Sequence, residues 1–367
     1  MKRQDYIIFF VLIALLFAWP NVYQKFFADK NPSPAPAAAV DASATNLAAS
    51  AETAVETATD AALKAAEAVA PATASTPAVS ALDGVADVEA EPAREEQRVV
   101  LTNQHVRLVI SSRGASVVEA TLIEYRESLP MDSGPVVFDF ADRPALVYSG
   151  LVGLSGAKDF DIVARPADNQ VVLERTAGGL TLRREMTLGD RFLVTVKDTF
   201  INRSGATVDL GRHQLQMGML PEEMAHHEMV GMINMGVDSL PAAGSVQNWG
   251  KSIPTEFKNV QEELGLDTLP EEITWKPNDK PADWVAAKNK YFVQILKPDG
   301  DGADWIEIQA RRTVSPAELA GARVKDAVIN GVSASLGFDS ETLDAGQEYV
   351  RTSEYYVGPK SFSLLSD

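Results

Sequence analysis

The sequence contains no cysteine among its 367 residues. That excludes disulfide frameworks, cysteine–zinc sites, iron–sulfur clusters and thiol catalysis. Basic residues are also in short supply. Only 33 Lys and Arg stand against 51 Asp and Glu, giving a formal net charge of −18. A phosphate backbone needs a basic face to bind, so nucleic acid is not an expected partner. Histidine occurs four times, and aromatic residues make up 7% of the chain. After the first two dozen residues no hydrophobic run reaches membrane length. The chain is long enough for one large domain or two ordinary ones.

The apolar run that does exist lies at the N-terminus. From Tyr6 through Phe10 and Leu15 to Trp19 all 14 residues are apolar, and no charge falls between Asp5 and Lys25. Counted to Tyr23 the stretch is 18 residues. At about 1.5 Å per residue this is roughly 27 Å, close to the hydrocarbon thickness of about 30 Å. Trp19 and Tyr23 stand where an interfacial aromatic belt would hold the outer end. Lys2 and Arg3 precede the run, which places the N-terminus in the cytoplasm and the bulk of the chain outside it. A cleaved signal peptide needs small residues after its apolar stretch. Here Trp19, Pro20, Tyr23, Phe26 and Phe27 are bulky, so residues 1–27 read as an uncleaved, single-pass anchor.

Residues 28–97 are of low complexity. Alanine accounts for 25 of these 70 positions, and 12 acidic against 3 basic residues give −9. Such a segment cannot bury enough apolar surface to offset the entropy of ordering, so it reads as a disordered acidic tether. Residues 50–70 are rich enough in alanine for transient helix, but they lack a stripe of large apolar residues to dock.

From Arg98 the texture changes to short alternating runs separated by turn residues. Strands are expected over Val99–Thr102, Val106–Ile110, Ser116–Leu122, Val171–Arg175, Leu180–Met186 and Phe192–Phe200. Others are expected at Tyr291–Leu296, Trp305–Ala310, Ala334–Phe338 and Tyr349–Val357. Gly178-Gly179 between two such runs signals a hairpin. Helix is expected only over Pro254–Leu266 and Ser315–Ala320. Many evenly spaced short strands without intervening helices argue for an antiparallel sandwich over residues 98–360, with 361–367 as a tail leading out of it.

Four local stretches then carry a resemblance. They are Val109-Ile110-Ser111-Ser112-Arg113-Gly114-Ala115, Tyr148-Ser149-Gly150-Leu151, the run Trp284 to Lys290 leading into Tyr291-Phe292, and Tyr355-Tyr356-Val357-Gly358-Pro359-Lys360. In this order, behind an anchor and a tether, they resemble the front part of the YidC membrane-protein insertase family of Gram-negative bacteria. The matching positions are Arg113, Gly114, Gly150, Leu151, Trp284, Tyr291, Phe292, Tyr356, Gly358 and Pro359. The resemblance implies a mostly β fold, the large antiparallel β-supersandwich also found in mutarotase-like proteins, in the periplasm. It implies a chain held by inner-membrane lipid that assists the insertion and folding of nascent membrane proteins. The Sec translocon and its accessory subunits are the implied partners. In the family a five-helix region follows and carries the insertase groove. This sequence reaches Asp367 without a second membrane-length run, so no groove of its own is expected in this chain.

Neither catalysis nor a cofactor is expected. His226-His227-Glu228 could supply a metal site or the acid–base set of a sugar enzyme. Adjacent side chains on extended backbone point to opposite sides, however, so the segment reads as an exposed loop. His105 and His213 sit in or beside strand-like runs and read as structural. The loop Asp299-Gly300-Asp301-Gly302-Ala303-Asp304 lacks the twelfth-position glutamate of a calcium loop and reads as a polar hairpin turn. Met217, Met219, Met224, Met229, Met232 and Met235 form a methionine-rich stretch, read as a partly buried loop. The competing reading is a carbohydrate-binding or mutarotase-like periplasmic protein, and a third is an envelope spacer.

Overall fold

The computed structural model describes residues 94–128, 132–156, 158–222, 235–322 and 327–361. All of them belong to the unit Asp87–Asp367. The anchor residues Tyr6, Phe10, Leu15, Trp19 and Tyr23 lie outside the described residues, as do most of the tether and the His226-His227-Glu228 cluster. Among the described residues no helix is long and apolar enough to cross a membrane.

Antiparallel strands dominate. The first four, β1 (Arg98–Thr102), β2 (Val106–Ser111), β3 (Ser116–Arg126) and β4 (Pro135–Asp139), form a four-stranded sheet in sequential order. Then come β5 (Tyr148–Ser149), β6 (Asp161–Ala167), β7 (Gln170–Ala177), β8 (Leu180–Leu188) and β9 (Leu193–Asn202). They are followed by β10 (Val208–Asp209), β11 (His213–Gln216), β12 (Leu220–Pro221), β13 (Gly236–Pro241), β14 (Gln247–Asn248) and helix α1 (Ile253–Glu263). Next are β15 (Glu272–Trp275), β16 (Ala282–Lys288), β17 (Phe292–Pro298), β18 (Trp305–Arg312) and the short helix α2 (Pro316–Leu319). The chain closes with β19 (Ile329–Phe338), β20 (Thr342–Leu343) and β21 (Glu348–Pro359).

Two large sheets share one core. The nine-stranded sheet runs β14-β13-β16-β17-β21-β9-β8-β7-β6, and the six-stranded sheet runs β15-β18-β19-β11-β5 with β12 also on β19. β16 packs against β19 across the interior. The period-2 pattern explains the layering. In β8, Leu182, Met186 and Leu188 are buried, and in β9 so are Val194, Val196 and Phe200. These inward rows meet Leu215, Ile308, Ala334 and Leu336 from the other sheet in a continuous cluster. The four-stranded sheet faces the same side of the nine-stranded one. Its Tyr125 and Phe138 rings pack on Phe192 and Phe292 at centroid distances of 6.2 and 5.2 Å.

The strands expected from alternation all form. Ahead of the strand expected at Tyr291–Leu296 the motif from Trp284 to Phe292 spans a hairpin, because Asn289 accepts from the backbone N–H of Tyr291 and Phe292 and folds the chain back. The Asp299–Asp304 loop is not a hairpin turn. It carries the chain from β17 in one large sheet to β18 in the other, held by Asp299 N–H to Thr352 O and Asp304 N–H to Gly337 O. Helix α1 ends at Glu263, with Gly265 following at φ +62°, which leaves Leu264 and Leu266 exposed.

Gly178 and Gly179, at φ +59° and +82°, join β7 to β8 through a two-residue turn. Both central residues at positive φ match the right-handed twist of the paired strands. A Cβ at Gly178 would meet nothing within 4 Å, whereas one at Gly179 would lie 2.8 Å from Ser204 Cβ. Gly178→Ala is therefore expected to destabilise by about 1 kcal/mol, the intrinsic penalty of that backbone region, and Gly179→Ala by more. Urea denaturation of the two variants checks the order; equal losses would refute the contact.

Candidate functional site

The family-motif residues gather in two places and leave one apart. The first group surrounds the turn at Arg113-Gly114. Arg113 bridges to Asp159, and Gly114 N–H donates to Lys158 O at 2.7 Å. Gly150 passes so close to β11 that a Cβ would lie 2.4 Å from Arg212 O, and Leu151 beside it is buried. The second group is where β21 leaves the domain. Phe292 pairs with Pro359, the Tyr356 hydroxyl donates to Pro359 O at 2.8 Å, and Gly358 lies under the Phe192 ring. Tyr291 is half exposed there, with the Lys290 ammonium 4.9 Å from its ring centroid. Lys360 Nζ donates to Asn289 O, and burial together with the nearby Lys288 charge lowers its pKa. Trp284 stands apart, bordering an open cleft of about 630 Å³ with Leu240, Asp283, Lys297 and Asp299.

Between the sheets lies a polar constellation that the sequence reading passed over. Arg184 on β8 and Asp198 on β9 are opposite each other in register, and Arg351 on β21 is opposite Asp198 on its other side. All three face the core and are at most 7% exposed. Arg184 grips Asp198 with two hydrogen bonds of 2.7 and 2.8 Å. Its remaining donor reaches Ala115 O and Leu146 O, which ties the Arg113-Gly114 turn to the large sheet. Burial works against the Arg184 charge, but the Asp198 carboxylate outweighs it and holds the guanidinium pKa above its ordinary value. From the six-stranded sheet, the Tyr148 hydroxyl donates to Asp198 at 2.9 Å. Burial and the Asp198 charge push that phenol upward.

His213, also from the six-stranded sheet, completes the bridge. One ring nitrogen lies 2.7 Å from Gly211 O and the other 2.7 Å from Arg351 Nη1. A carbonyl only accepts and a guanidinium only donates, so Nδ1 carries the proton and Nε2 is bare. Burial, with a further contribution from the Arg351 charge, lowers the His213 pKa to about 4. Arg351 also stacks over Phe338 at 3.7 Å. Every member of this set is spoken for by another and closed to solvent, so its chemistry is cohesion between sheets.

A signal for it was present in the sequence. Leu182-x-Arg184-x-Met186 and Val196-x-Asp198-x-Phe200 each place a charge in the inward phase of an alternating strand. His105 lies at the start of β2, 2.8 Å from Glu124, and takes no part. Among the described residues no group of three or more His, Asp or Glu could hold a metal ion.

A large antiparallel double sheet, left through the tyrosine-rich end of a central strand, defines a class of β-sandwich domain. The YidC periplasmic domain family model matches residues 98–367, and the chain belongs to that family. It is 29% identical over 131 residues to the membrane protein insertase YidC of Bordetella pertussis, a stretch covering 32% of this chain and 23% of that protein. The corresponding protein of Bordetella parapertussis is 30% identical over 128 residues, covering 31% and 23%. The matched region thus spans under a quarter of the length of these relatives. Among solved structures, a galactose mutarotase related enzyme from Lactobacillus acidophilus aligns with 72% of this chain and 99% of its own, at 10% identity and a TM-score of 0.46. A galactose mutarotase-like protein from Lactobacillus casei aligns over 71% and 100%, at 11% identity and a TM-score of 0.42.

Two outcomes follow from the bridge. Asp198→Ala strands a buried guanidinium and is expected to cost about 3–5 kcal/mol, while the paired replacement Arg184→Met with Asp198→Leu recovers part of it. Urea unfolding curves decide; a loss under 1 kcal/mol for Asp198→Ala would rule out the bridge as a major support. For His213 the unfolded chain binds the proton more readily than the folded one. Its stabilisation is therefore complete above the ordinary histidine pKa of about 6.5 and is lost as pH falls toward 4, by on the order of 3 kcal/mol. NMR of the imidazole checks this: a titration midpoint near 6.5 in the folded protein would contradict it.

Proposed function

We propose that this chain is the membrane-anchored periplasmic part of a YidC-type insertase, assisting insertion and folding of inner-membrane proteins beside the Sec translocon. The match to the YidC periplasmic domain over residues 98–367 is the observation that carries this reading. The charge-free run Tyr6–Tyr23 supports a fixed N-terminal anchor in inner-membrane lipid. The acidic, alanine-rich stretch after it lets the domain sample tens of ångströms above the bilayer, which raises its effective concentration near emerging substrates.

The division of labour is physical. A segment leaving the translocon exposes apolar surface and unpaired backbone, and a tethered domain with open sheet edges offers weak, reversible contact. The half-exposed ring of Tyr291, at the end where β21 leaves the domain, is a natural point of contact for a partner near the membrane. The domain contributes position and transient binding, and insertion itself belongs to membrane-embedded helices.

Photo-crosslinking in native membranes tests this. A benzophenone amino acid is placed in the full chain at Val137, Tyr291 or Val350, each about half exposed. Adducts with translocon subunits or newly made membrane proteins are expected from Tyr291 first. Adducts with neither from all three positions would exclude the role.

A further inference from the structure

The outward N–H and C=O groups of a sheet edge are a template for another strand unless something guards them. Most edges here are guarded. On β1 the Arg165 guanidinium donates to Val100 O at 3.0 Å. The pairing of β6 with β7 shifts register twice, and Pro166 interrupts its row of donors. Helix α1 packs beside β15, and β5, β10, β14 and β20 are two residues long. β4 has none of these guards. It ends the four-stranded sheet and holds an unbroken register with β3 over Val136–Asp139.

The phase of its hydrogen bonds shows what that edge offers. Gly134 O accepts from Glu127 N–H at 3.0 Å, and Phe140 N–H donates to Val118 O at 2.8 Å, both toward β3. Every second residue of an antiparallel strand bonds to the same side, so Val136 and Phe138 also face β3. The N–H and C=O groups of Val137 and Asp139, and the C=O of Pro135, therefore point off the sheet. The side chains hold this edge firm and leave it open. Val136 and Phe138 are buried in the core, whereas Val137 is 49% exposed, on the same face as Ile123 of β3 at 47%.

Charge selects the guest. Asp139 lies directly opposite Glu119, where like charges repel. Glu119 is answered by Arg107 at 2.6 Å. Asp139 accepts the Ala141 N–H at 2.8 Å and forms no ion pair among the described residues. Arg98 feels its charge but pairs with Glu96 at 3.0 Å. An incoming antiparallel strand that sets an apolar residue opposite Val137 brings the residue two positions earlier beside Asp139. A lysine or arginine there compensates the carboxylate, and an acidic residue adds a third negative charge. We propose that the free edge of β4 takes an extended segment of a partner protein as a fifth strand, selecting a basic residue two positions before an apolar one. The source of that segment, a polypeptide emerging at the membrane, rests on the insertase reading; the edge and the pattern do not.

The test titrates the ¹⁵N-labelled full chain, in zwitterionic detergent, with three blocked heptapeptides of alternating threonine and valine. The first has lysine in place of the valine two positions before the central one, and the second has glutamate there. The third is the lysine peptide with N-methyl groups on the backbone nitrogens that would face β4. The lysine peptide is expected to shift the Val137 and Asp139 amide signals saturably at millimolar concentration. The glutamate peptide should bind about tenfold more weakly, Asp139→Lys should invert that order, and N-methylation should abolish the shift. Val137→Pro removes the outward donor where an edge strand tolerates proline, so binding should weaken about tenfold while the urea midpoint holds. Should Val137→Pro unfold the domain, the inversion by Asp139→Lys decides. No saturable shift at tens of millimolar, equal binding of the N-methylated peptide, or an order that Asp139→Lys leaves unchanged would overturn the proposal. So would a shift of the same amides with protein concentration alone, which would make a second copy the guest. Any of these leaves adducts from Tyr291 with translocon or substrate untouched, whereas loss of those adducts with peptide binding retained removes the insertase role alone.

Discussion

A buried carboxylate gripped by the arginine of the next strand, with a second arginine opposite it in register, is the constraint on which this domain turns. Asp198 sits between Arg184 and Arg351 on the inner face of the nine-stranded sheet, and Tyr148 and His213 reach it and its neighbour from the opposite sheet. Apolar packing between sheets is indifferent to small sliding displacements, since any oily contact is nearly as good as the next. A buried charge is not, because it must find its partner within hydrogen-bond reach or bear a large desolvation cost. The row therefore fixes how the two layers sit on each other. Through Ala115 O and Leu146 O it also fixes the turn between β2 and β3.

Much of the architecture was legible in the sequence because β8, β9 and β21 alternate cleanly. The glycine pair after β7 leaves little doubt about the hairpin that follows it. What could not be read was partnership. Nothing local says that β17 and β18, adjacent in sequence, belong to different sheets, since the six-residue acidic loop between them has the composition of any tight turn. Nor does a single strand announce that its arginine points inward; that becomes visible only when Arg184 and Asp198 are both set against their apolar neighbours. The open edge of β4 was equally silent, because a strand's place in its sheet is known only once the strands on either side are known.

The domain thus separates two kinds of polar investment. The interior set is closed, each donor matched to an acceptor, and contributes rigidity. The outer face of the six-stranded sheet leaves several buried groups unmatched. The exit end, with Tyr291 exposed and Phe292 and Tyr356 buried beside it, presents a firm base with a soft aromatic edge.

The final strand has one more implication. β21 is twelve residues long and lies between β17 and β9, paired with β9 over Glu348–Tyr356 and with β17 over Ser353–Pro359. Tension applied at Pro359 along the strand would load those ladders in parallel, instead of peeling them open one rung at a time. A domain built this way can transmit a pull applied at that end without unravelling, and behaves as a cleat more than as a bead on a string.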